Sequence, residues 1–429
     1  MMHDTAVAGL ITREHRFQLP VDYDQPQDET LEVFARELCD PVRVNDELPY
    51  LVFFQGGPGF GAMRPLARGG WIDRALQEYR VLLLDQRGTG LSTPIHAGSL
   101  ATMSLSQQVA YLSQHRADNI VRDAEAIRCH LIGDAPWTIL GQSFGGFCVL
   151  RYLSYAPQSL TEAYITGGIP SLQRSADEVY QATFQRVADK NRAFFLRFPK
   201  ARGMADRIAA YLDQHRVCLP DGERLTVERF QLLGLHLGVE EGPETLYYLL
   251  EQALLPSAAG EVINPVFLHG VMQMLDYDTN PLFSLLHEPI YNQQQASDWA
   301  AHRVRQGLPQ FCYQPGQPLC FTGEMIFPWM FEQFAQLRPL QSLAHALACK
   351  ADWPSLYDPG VLAVNPVPVA AAVYTDDMFV EYAYSEETLA QVANLKAWRT
   401  SEYEHNGIRM DGYRILDRLI KLNRGQRLR

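Results

Sequence analysis

The chain has 429 residues, of which 47% are apolar, and its formal net charge is −12. This length suits one large core with an insertion, and the acidic balance argues against a nucleic-acid partner. No apolar run reaches the roughly 18 residues that a membrane span needs, and Met1-Met2-His3-Asp4 lacks a signal-peptide pattern, so we expect a soluble cytoplasmic protein without a membrane partner. The seven cysteines are odd in number and lack metal-ligand spacing, which predicts free thiols and no metal site.

The first predicted element is an antiparallel hairpin in residues 14–39, where two alternating stretches flank a turn-rich segment. Short apolar runs then follow at 50–54, 81–84, 137–140 and 163–165. Helical patterns such as 106–131 separate these runs. The β-α-β-α order predicts a parallel sheet.

After residue 170 the strand pattern gives way to amphipathic helical patterns, at 176–198, 204–215, 227–237, 243–255, 266–275, 281–295 and 328–349. The strand pattern returns only at 366–374. The basic tail 414–429 has apolar residues at helical spacing, which favours a terminal helix over a binding patch. We therefore predict three segments: 1–170 as the first part of the core, 171–360 as a helical cap domain, and 361–429 as the second part of the core.

A nucleophile is predicted where the apolar run 137–140 continues into Gly141-Gln142-Ser143-Phe144-Gly145-Gly146. The pattern Gly-x-Ser-x-Gly between a strand and a helix is the nucleophile elbow of α/β-hydrolases. Its tight turn exposes the serine hydroxyl, and the N–H of Phe144 points to where an oxyanion would form. The sequence thus predicts an α/β-hydrolase fold, with a mostly parallel sheet and Ser143 as the nucleophile.

A general base and an acid are expected after the returning strand, because this fold places serine, acid and histidine in that order. His405 is the only one of the twelve histidines that follows residue 374. The loop after the strand offers two carboxylates, Asp376 and Asp377, and we favour Asp377 as the acid. One member of such a pair commonly caps its own turn.

The second oxyanion donor is predicted in the glycine-rich turn Gln55-Gly56-Gly57-Pro58-Gly59, which follows the apolar run 51–54. Hydrolases of this fold take their other backbone donor from this position, and we assign it to Gly57. The turn is not a phosphate loop, since no Gly-Lys-Ser/Thr follows. The predicted chemistry needs no cofactor.

Three core motifs together resemble the proline iminopeptidases (prolyl aminopeptidases), serine peptidases of the α/β-hydrolase fold: Gly56-Gly57-Pro58-Gly59, Asp85-Gln86-Arg87-Gly88-Thr89-Gly90-Leu91-Ser92 and Gly141-Gln142-Ser143-Phe144-Gly145-Gly146. Two segments resemble longer members with an enlarged cap, Leu286-His287-Glu288 and residues 321–329. Two others are similar to the family's acid and histidine loops, Asp376-Asp377-Met378 and Tyr403-Glu404-His405-Asn406-Gly407.

This resemblance implies release of an N-terminal proline from a peptide substrate whose terminal amine is free. A protonated amine needs a negative partner, and Glu288 and Glu324 lie in the segments that resemble the cap. We expect them to hold the amine. Phe144, Phe327 and Trp329 are expected to wall a pocket for the pyrrolidine ring.

The chain departs from the family pattern at two positions. Gln55 stands where many members have histidine, and Phe144 where shorter members often have tryptophan. Both predicted oxyanion donors are backbone groups, so we expect catalysis to survive and the shape of the pocket to differ. Two alternatives stay open: an esterase or amidase of this fold with another substrate, and a non-catalytic binding protein on the same scaffold. The latter would predict a lost triad member, and none is lost.

Overall fold

The computed structural model describes residues 5–258, 260–275 and 277–426. Two predictions concern residues outside these ranges. One is that residues 1–4 do not begin a signal peptide, and the other is that the terminal helix extends to residues 427–429. The strands in the described chain are β1 (Thr5–Val7), β2 (Leu10–Pro20), β3 (Thr30–Cys39), β4 (Tyr50–Phe54), β5 (Arg80–Asp85), β6 (Trp137–Gln142), β7 (Leu160–Thr166), β8 (Leu254–Ser257), β9 (Gly260–Ile263), β10 (Val369–Tyr374) and β11 (Leu395–Thr400).

Nine of these strands form one sheet in the order β1-β2-β3-β5-β4-β6-β7-β10-β11. The strands from β5 to β11 in this order run parallel, whereas β1, β2 and β3 pair antiparallel. The predicted mostly parallel sheet and the N-terminal hairpin are confirmed. Strand β10 pairs with β7, with Ala371 opposite Ile165, so the chain rejoins the sheet beside the strand it left. The carboxyl ends of the parallel strands therefore meet at one edge, where ligands bind in open α/β sheets.

Both faces of the sheet are covered, which is why the central parallel strands β4, β6 and β10 are buried along nearly their whole length. In β4, Val52 and Phe54 join one buried cluster, while Leu51 and Phe53 join another on the opposite face.

The α-helices in the described chain are α1 (Gly70–Ala75), α2 (Ala97–Leu100), α3 (Leu105–Ser113), α4 (Ala117–Ile132), α5 (Phe144–Tyr155), α6 (Ala176–Arg197), α7 (Pro199–Gln214), α8 (Val227–Gln231), α9 (Gly242–Glu251), α10 (Pro265–Met274), α11 (Pro281–Leu286), α12 (Ala300–Gln306), α13 (Met330–Gln333), α14 (Gln341–Cys349), α15 (Pro359–Ala363), α16 (Tyr382–Leu389), α17 (Gly407–Met410) and α18 (Gly412–Asn423).

The segment between β7 and β10, which we call the insertion (residues 167–368), is mainly helical, and its apolar side chains form most of a third buried cluster. The expectation that it lacks strands is wrong, because β8 and β9 pair as an antiparallel hairpin inside it. The domain limits at 170 and 360 stay a prediction. No helix in the described part of the chain has the length and apolar character needed to cross a membrane.

Several predicted helices are shorter than expected, for local reasons. The pattern 328–349 divides into α13 and α14 around a 3-10 turn that contains Pro339, and the pattern 281–295 ends before Pro289. Proline lacks the N–H that a helix interior requires. The pattern 106–131 divides into α3 and α4 at Arg116, whose guanidinium is buried and donates to the carbonyls of Pro289 and Asn292. Tertiary contacts thus override helix propensity there.

The segment Asp85 to Ser92 has a structural role in holding loops together. The Asp85 carboxylate accepts hydrogen bonds from the N–H groups of Ala62 (2.9 Å) and Leu91 (2.8 Å), which ties the loop after β4 to the turn after β5. Arg87 is fully buried and pairs with Asp123 through two hydrogen bonds of 2.7 and 2.6 Å. Its guanidinium also donates to the carbonyl of Val21, so the pair joins the N-terminal hairpin to α4.

We expect Asp123→Ala to lower the free energy of unfolding by about 3–5 kcal/mol, because it leaves the Arg87 charge buried without its partner. Urea denaturation measures this loss. The control is Asp24→Ala, which removes the exposed partner of Arg122 and should cost at most about 1 kcal/mol. Equal effects of the two substitutions would contradict the structural role of the buried pair.

Candidate active site

A cavity of about 490 Å³ opens at the carboxyl edge of the sheet. Core residues that border it include Gln55, Gly57, Ser143 and His405. From the insertion come Leu235, His236, Met274, Tyr277, Phe283 and Glu324. The cavity therefore lies between the sheet and the insertion, and the predicted nucleophile and general base face the same space.

Ser143 lies in the turn between β6 and α5 with φ of 55°, a left-handed conformation that is strained for a residue with a Cβ. Its N–H donates to the carbonyl of Thr166 (3.0 Å). The turn needs glycine around it, since a Cβ on Gly145 would lie 2.0 Å from the carbonyl oxygen of Phe54 and one on Gly168 would lie 2.2 Å from that of Ser143. Close backbone packing thus fixes the serine at the edge of the sheet.

The structure places Asp377, and not the exposed Asp376, against His405. Nδ1 of His405 lies 2.7 Å from Oδ2 of Asp377. The other carboxylate oxygen accepts hydrogen bonds from the N–H groups of Phe379 (2.8 Å) and Val380 (3.0 Å), which fixes the direction of the carboxylate. This geometry leaves Nε2 of the imidazole for contact with a nucleophile.

The environment of His405 favours its protonated form. Burial by itself lowers the pKa of this imidazole, but the charge of Asp377 and the hydrogen bond to it, together with the charge of Glu324, raise the pKa above its ordinary value. A group that takes a proton and later releases it benefits from this arrangement, because the imidazolium has a fixed partner.

The two predicted oxyanion donors lie beside Ser143. Phe144 is the first residue of α5, where an N–H has no partner within the helix. Gly57 borders the cavity with φ of 133°, a backbone conformation that glycine adopts readily and residues with a Cβ rarely adopt. A Cβ on the neighbouring Gly56 would lie 2.9 Å from Cβ of Ser143, so the loop after β4 passes close to the serine. The donor roles of both residues stay predictions.

Glu324 is the predicted amine ligand that borders the cavity together with Ser143 and His405. Its side chain is 20% exposed, and His287 Nε2 lies 4.0 Å from one of its carboxylate oxygens. Burial raises the pKa of Glu324 to about 7; the His405 charge lowers it, and the Asp377 charge raises it further. A cation bound in the cavity would stabilise this carboxylate's charged form.

Glu288 differs from expectation, because its carboxylate does not border this cavity. It is 4% exposed, and its oxygens accept hydrogen bonds from the N–H groups of Ala301 (2.9 Å) and Ala300 (3.2 Å) at the start of α12. Burial raises the pKa of Glu288 to about 7, although these backbone hydrogen bonds act in the opposite direction. The carboxylate is held at a helix N terminus, so this geometry does not support direct contact with a substrate amine.

Phe327 and Trp329 also lie outside the cavity. Phe327 is fully buried, stacks on Trp329 with ring centroids 5.7 Å apart, and has the Arg305 guanidinium over its ring. Phe144 packs its buried ring on Phe147. The expectation that these three rings wall the cavity is therefore not met, since they pack into the protein interior.

The aromatic wall of the cavity comes from Phe60, Tyr277, Phe283 and Phe379. Phe379 places its edge against the His405 ring, with centroids 4.8 Å apart and planes at 90°. Its position two residues after Asp377 is the one sequence signal that could have found it. Phe283 and Tyr277 belong to helical segments without a distinctive pattern.

The loop that carries His405 is also held by the insertion. The N–H of His405 donates to the carbonyl of Gly238 (3.2 Å), and the N–H of Glu404 donates to the Glu240 carboxylate (3.0 Å). Lys190 Nζ lies 2.6 Å from both carboxylate oxygens of Glu404. The position of the imidazole thus depends on contacts from both parts of the chain.

Comparison with known proteins agrees with this geometry. The family model of the alpha/beta hydrolase fold matches residues 49–306. A proline iminopeptidase of Aeromonas sobria is 60% identical over 417 residues, which cover 97% of this chain and 97% of that protein. The chain belongs to the proline iminopeptidase family. A second proline iminopeptidase, of Aspergillus aculeatus, is 35% identical over 441 residues, covering 96% of this chain and 93% of that protein.

The near-complete coverage shows that the resemblance to proline iminopeptidases includes the insertion as well as the core. The predicted membership in the family and the predicted α/β-hydrolase fold are both confirmed. The roles of Ser143, Asp377, His405 and the cavity residues stay predictions.

We expect Glu324→Gln to stabilise the folded protein at pH 8 by about 3 kcal/mol. The pKa of Glu324 is about 7 in the folded protein and 4.5 ordinarily, so the folded state binds the proton more tightly. The free energy of unfolding therefore falls as pH rises from 4.5 to 7, and glutamine removes this loss.

Urea denaturation at pH 4 and pH 8 measures the difference, which should vanish at pH 4. The matched control is Glu332→Gln, an exposed position of the insertion, with an expected change within about 0.5 kcal/mol at both pH values. A Glu324→Gln protein that is less stable than the unsubstituted chain at pH 8 would show that the ionised Glu324 carboxylate does not destabilise the folded protein.

Proposed function

We propose that this protein is a serine exopeptidase that releases N-terminal proline from peptides through an acyl-enzyme intermediate. The observation that carries the proposal is the presence of one largely shielded carboxylate, Glu324, in the cavity that Ser143 and His405 border. The relatives named proline iminopeptidase match nearly the whole chain, which supports the same activity here.

Ser143 is the proposed nucleophile, and its Oγ attacks the carbonyl carbon of the substrate's proline residue. His405 takes the hydroxyl proton at Nε2, while Asp377 accepts the hydrogen bond from Nδ1–H and so fixes the tautomer. Negative charge then develops on the carbonyl oxygen. The N–H groups of Phe144 and Gly57 are the proposed donors to this oxyanion.

Collapse of the tetrahedral intermediate breaks the C–N bond of the peptide. The proton on His405 passes to the leaving amine, which departs as the shortened peptide, and a prolyl ester remains on Ser143. Water then attacks the ester carbonyl, with His405 as the base, and proline is released. Ser143 regains its proton, so no external reactant besides water is consumed.

Glu324 is the proposed partner of the substrate's free amine. The secondary amine of an N-terminal proline carries a positive charge when protonated, and a carboxylate in a shielded cavity pairs with it more strongly than one in water. Binding this cation lowers the pKa of Glu324 and keeps the carboxylate ionised at neutral pH. A blocked amine has no such charge, which explains a requirement for the free N terminus.

The predicted division of the chain is part of the same proposal. Residues 1–170 and 361–429 would form the catalytic core, and 171–360 the cap domain that supplies Glu324. The buried apolar cluster that the insertion mostly supplies supports this division. A cytoplasmic location is also proposed, and the seven cysteines, which form no disulfide, suit a reducing compartment.

The main rival is an esterase or amidase with another substrate, since the same serine, histidine and aspartate would serve it equally well. Glu324 separates the two proposals, because an uncharged ester gains nothing from a buried carboxylate. A non-catalytic binding protein is disfavoured by the paired Asp377 and His405 beside Ser143.

We expect Ser143→Ala and His405→Ala each to abolish turnover of a prolyl arylamide, because these groups act as a unit. Asp377→Asn should lower kcat by about 10⁴-fold through loss of the productive tautomer. The control is Asp376→Asn at the exposed neighbour, with little change expected. A larger loss at Asp376 than at Asp377 would reassign the acid, and circular dichroism checks that each variant folds.

We expect Glu324→Gln to lower kcat/KM for a free-amine proline substrate by at least about tenfold, since glutamine keeps the shape and removes the charge. Hydrolysis of a simple ester should be largely spared, and N-acetylproline amides should resist the unsubstituted enzyme. Glu288→Gln is the matched comparison. An equal loss in Glu288→Gln would return the amine to Glu288, whereas equal losses on ester and amine substrates would favour the esterase proposal.

A further inference from the structure

Arg409 borders the same cavity as Ser143 and His405 but has no part in the chemistry described above. It lies in α17, and its side chain is exposed, which places it at the mouth of the cavity. Within residues 5–258, 260–275 and 277–426, no carboxylate forms an ion pair with it. Nearby Arg414, in contrast, pairs with Glu402 at 2.9 Å.

The charges that border the cavity are arranged by depth. Glu324 is the carboxylate among the described lining residues, and its side chain is mostly shielded. Arg409 is the arginine among them, at the mouth. Both charges act on His405, whose pKa Glu324 raises and Arg409 lowers. The His405 imidazole therefore lies within the field of both a negative and a positive group.

An unpaired guanidinium in this position is suited to an anion. Partial burial lowers the pKa of the Arg409 guanidinium from its ordinary value. A carboxylate can accept two parallel hydrogen bonds from a guanidinium, a geometry that lysine cannot offer. A peptide with a free C terminus carries such a carboxylate.

We propose that Arg409 binds the C-terminal carboxylate of the substrate, and that the enzyme prefers short peptides whose two charged ends are both engaged. This proposal rests on the proposed prolyl aminopeptidase activity, and it adds the class of substrate. An extended peptide gains about 3.3–3.6 Å per residue, so each added residue carries the carboxylate of an extended substrate further from Glu324, and a short peptide keeps both charged ends within one cavity. The cavity volume of about 490 Å³ is typical of sites that enclose a whole small ligand.

The experiment compares Pro-Ala with Pro-Ala-NH₂, two substrates that differ only in the C-terminal charge. For the unsubstituted enzyme we expect kcat/KM to be about tenfold higher for Pro-Ala, and for Arg409→Gln we expect the two values to be equal. Arg409→Lys should keep part of the preference. The ratio is the readout because loss of Arg409 also changes the pKa of His405, which affects both substrates alike.

The matched control is Arg414→Gln, which removes an exposed arginine that does not border the cavity and should leave the ratio near tenfold. Equal rates on the two substrates in the unsubstituted enzyme, or a preference that survives Arg409→Gln, would overturn the carboxylate site. Failure of the unsubstituted enzyme to cleave any free-amine prolyl substrate, including an arylamide without a carboxylate, would instead overturn the proposed function.

Discussion

The site depends on the parallel pairing of β10 with β7, which returns the chain to the sheet after the insertion. This pairing brings the loop after β10 beside the turn after β6, so Asp377 and Ser143 lie at one edge although more than two hundred residues separate them in sequence. Strand β11 adds the next loop, and His405 reaches Asp377 from there. The positions of Asp377 and His405 beside Ser143 require this strand pairing.

The insertion completes the cavity, and in the proposed mechanism it also provides the selectivity for a free amine. It shields the cavity, supplies Glu324 and holds the histidine loop through Gly238 and Lys190. Shielding has an energetic cost, because burial raises the pKa of Glu324 and the charge of Asp377 raises it further. In the proposed mechanism a cationic substrate offsets that cost when it binds, so the same burial that weakens the folded state would favour recognition of an amine.

The sequence predicted where Ser143, Asp377 and His405 lie, because the signal there is local, and the catalytic roles of these residues stay predictions. The elbow around Ser143 needs its glycines in fixed positions, and the order of serine, acid and histidine follows from the fold, so the geometry around Asp377 and His405 was predictable. The sequence did not predict side-chain directions that depend on packing. Glu288 points to the start of α12, and Phe327 packs inside the insertion. The hairpin β8–β9 and the strand β11 were also missed, because their patterns are short and partly polar.

A crystal structure of the Ser143→Ala protein with an intact Pro-Ala peptide tests the proposed mechanism most directly. We expect the proline nitrogen to lie within about 2.7–3.2 Å of a Glu324 carboxylate oxygen, and the scissile carbonyl to lie beside residue 143 with its oxygen toward the N–H groups of Phe144 and Gly57. A proline nitrogen that contacts Glu288, or one that points to the mouth of the cavity while the carbonyl lies away from residue 143, would contradict it.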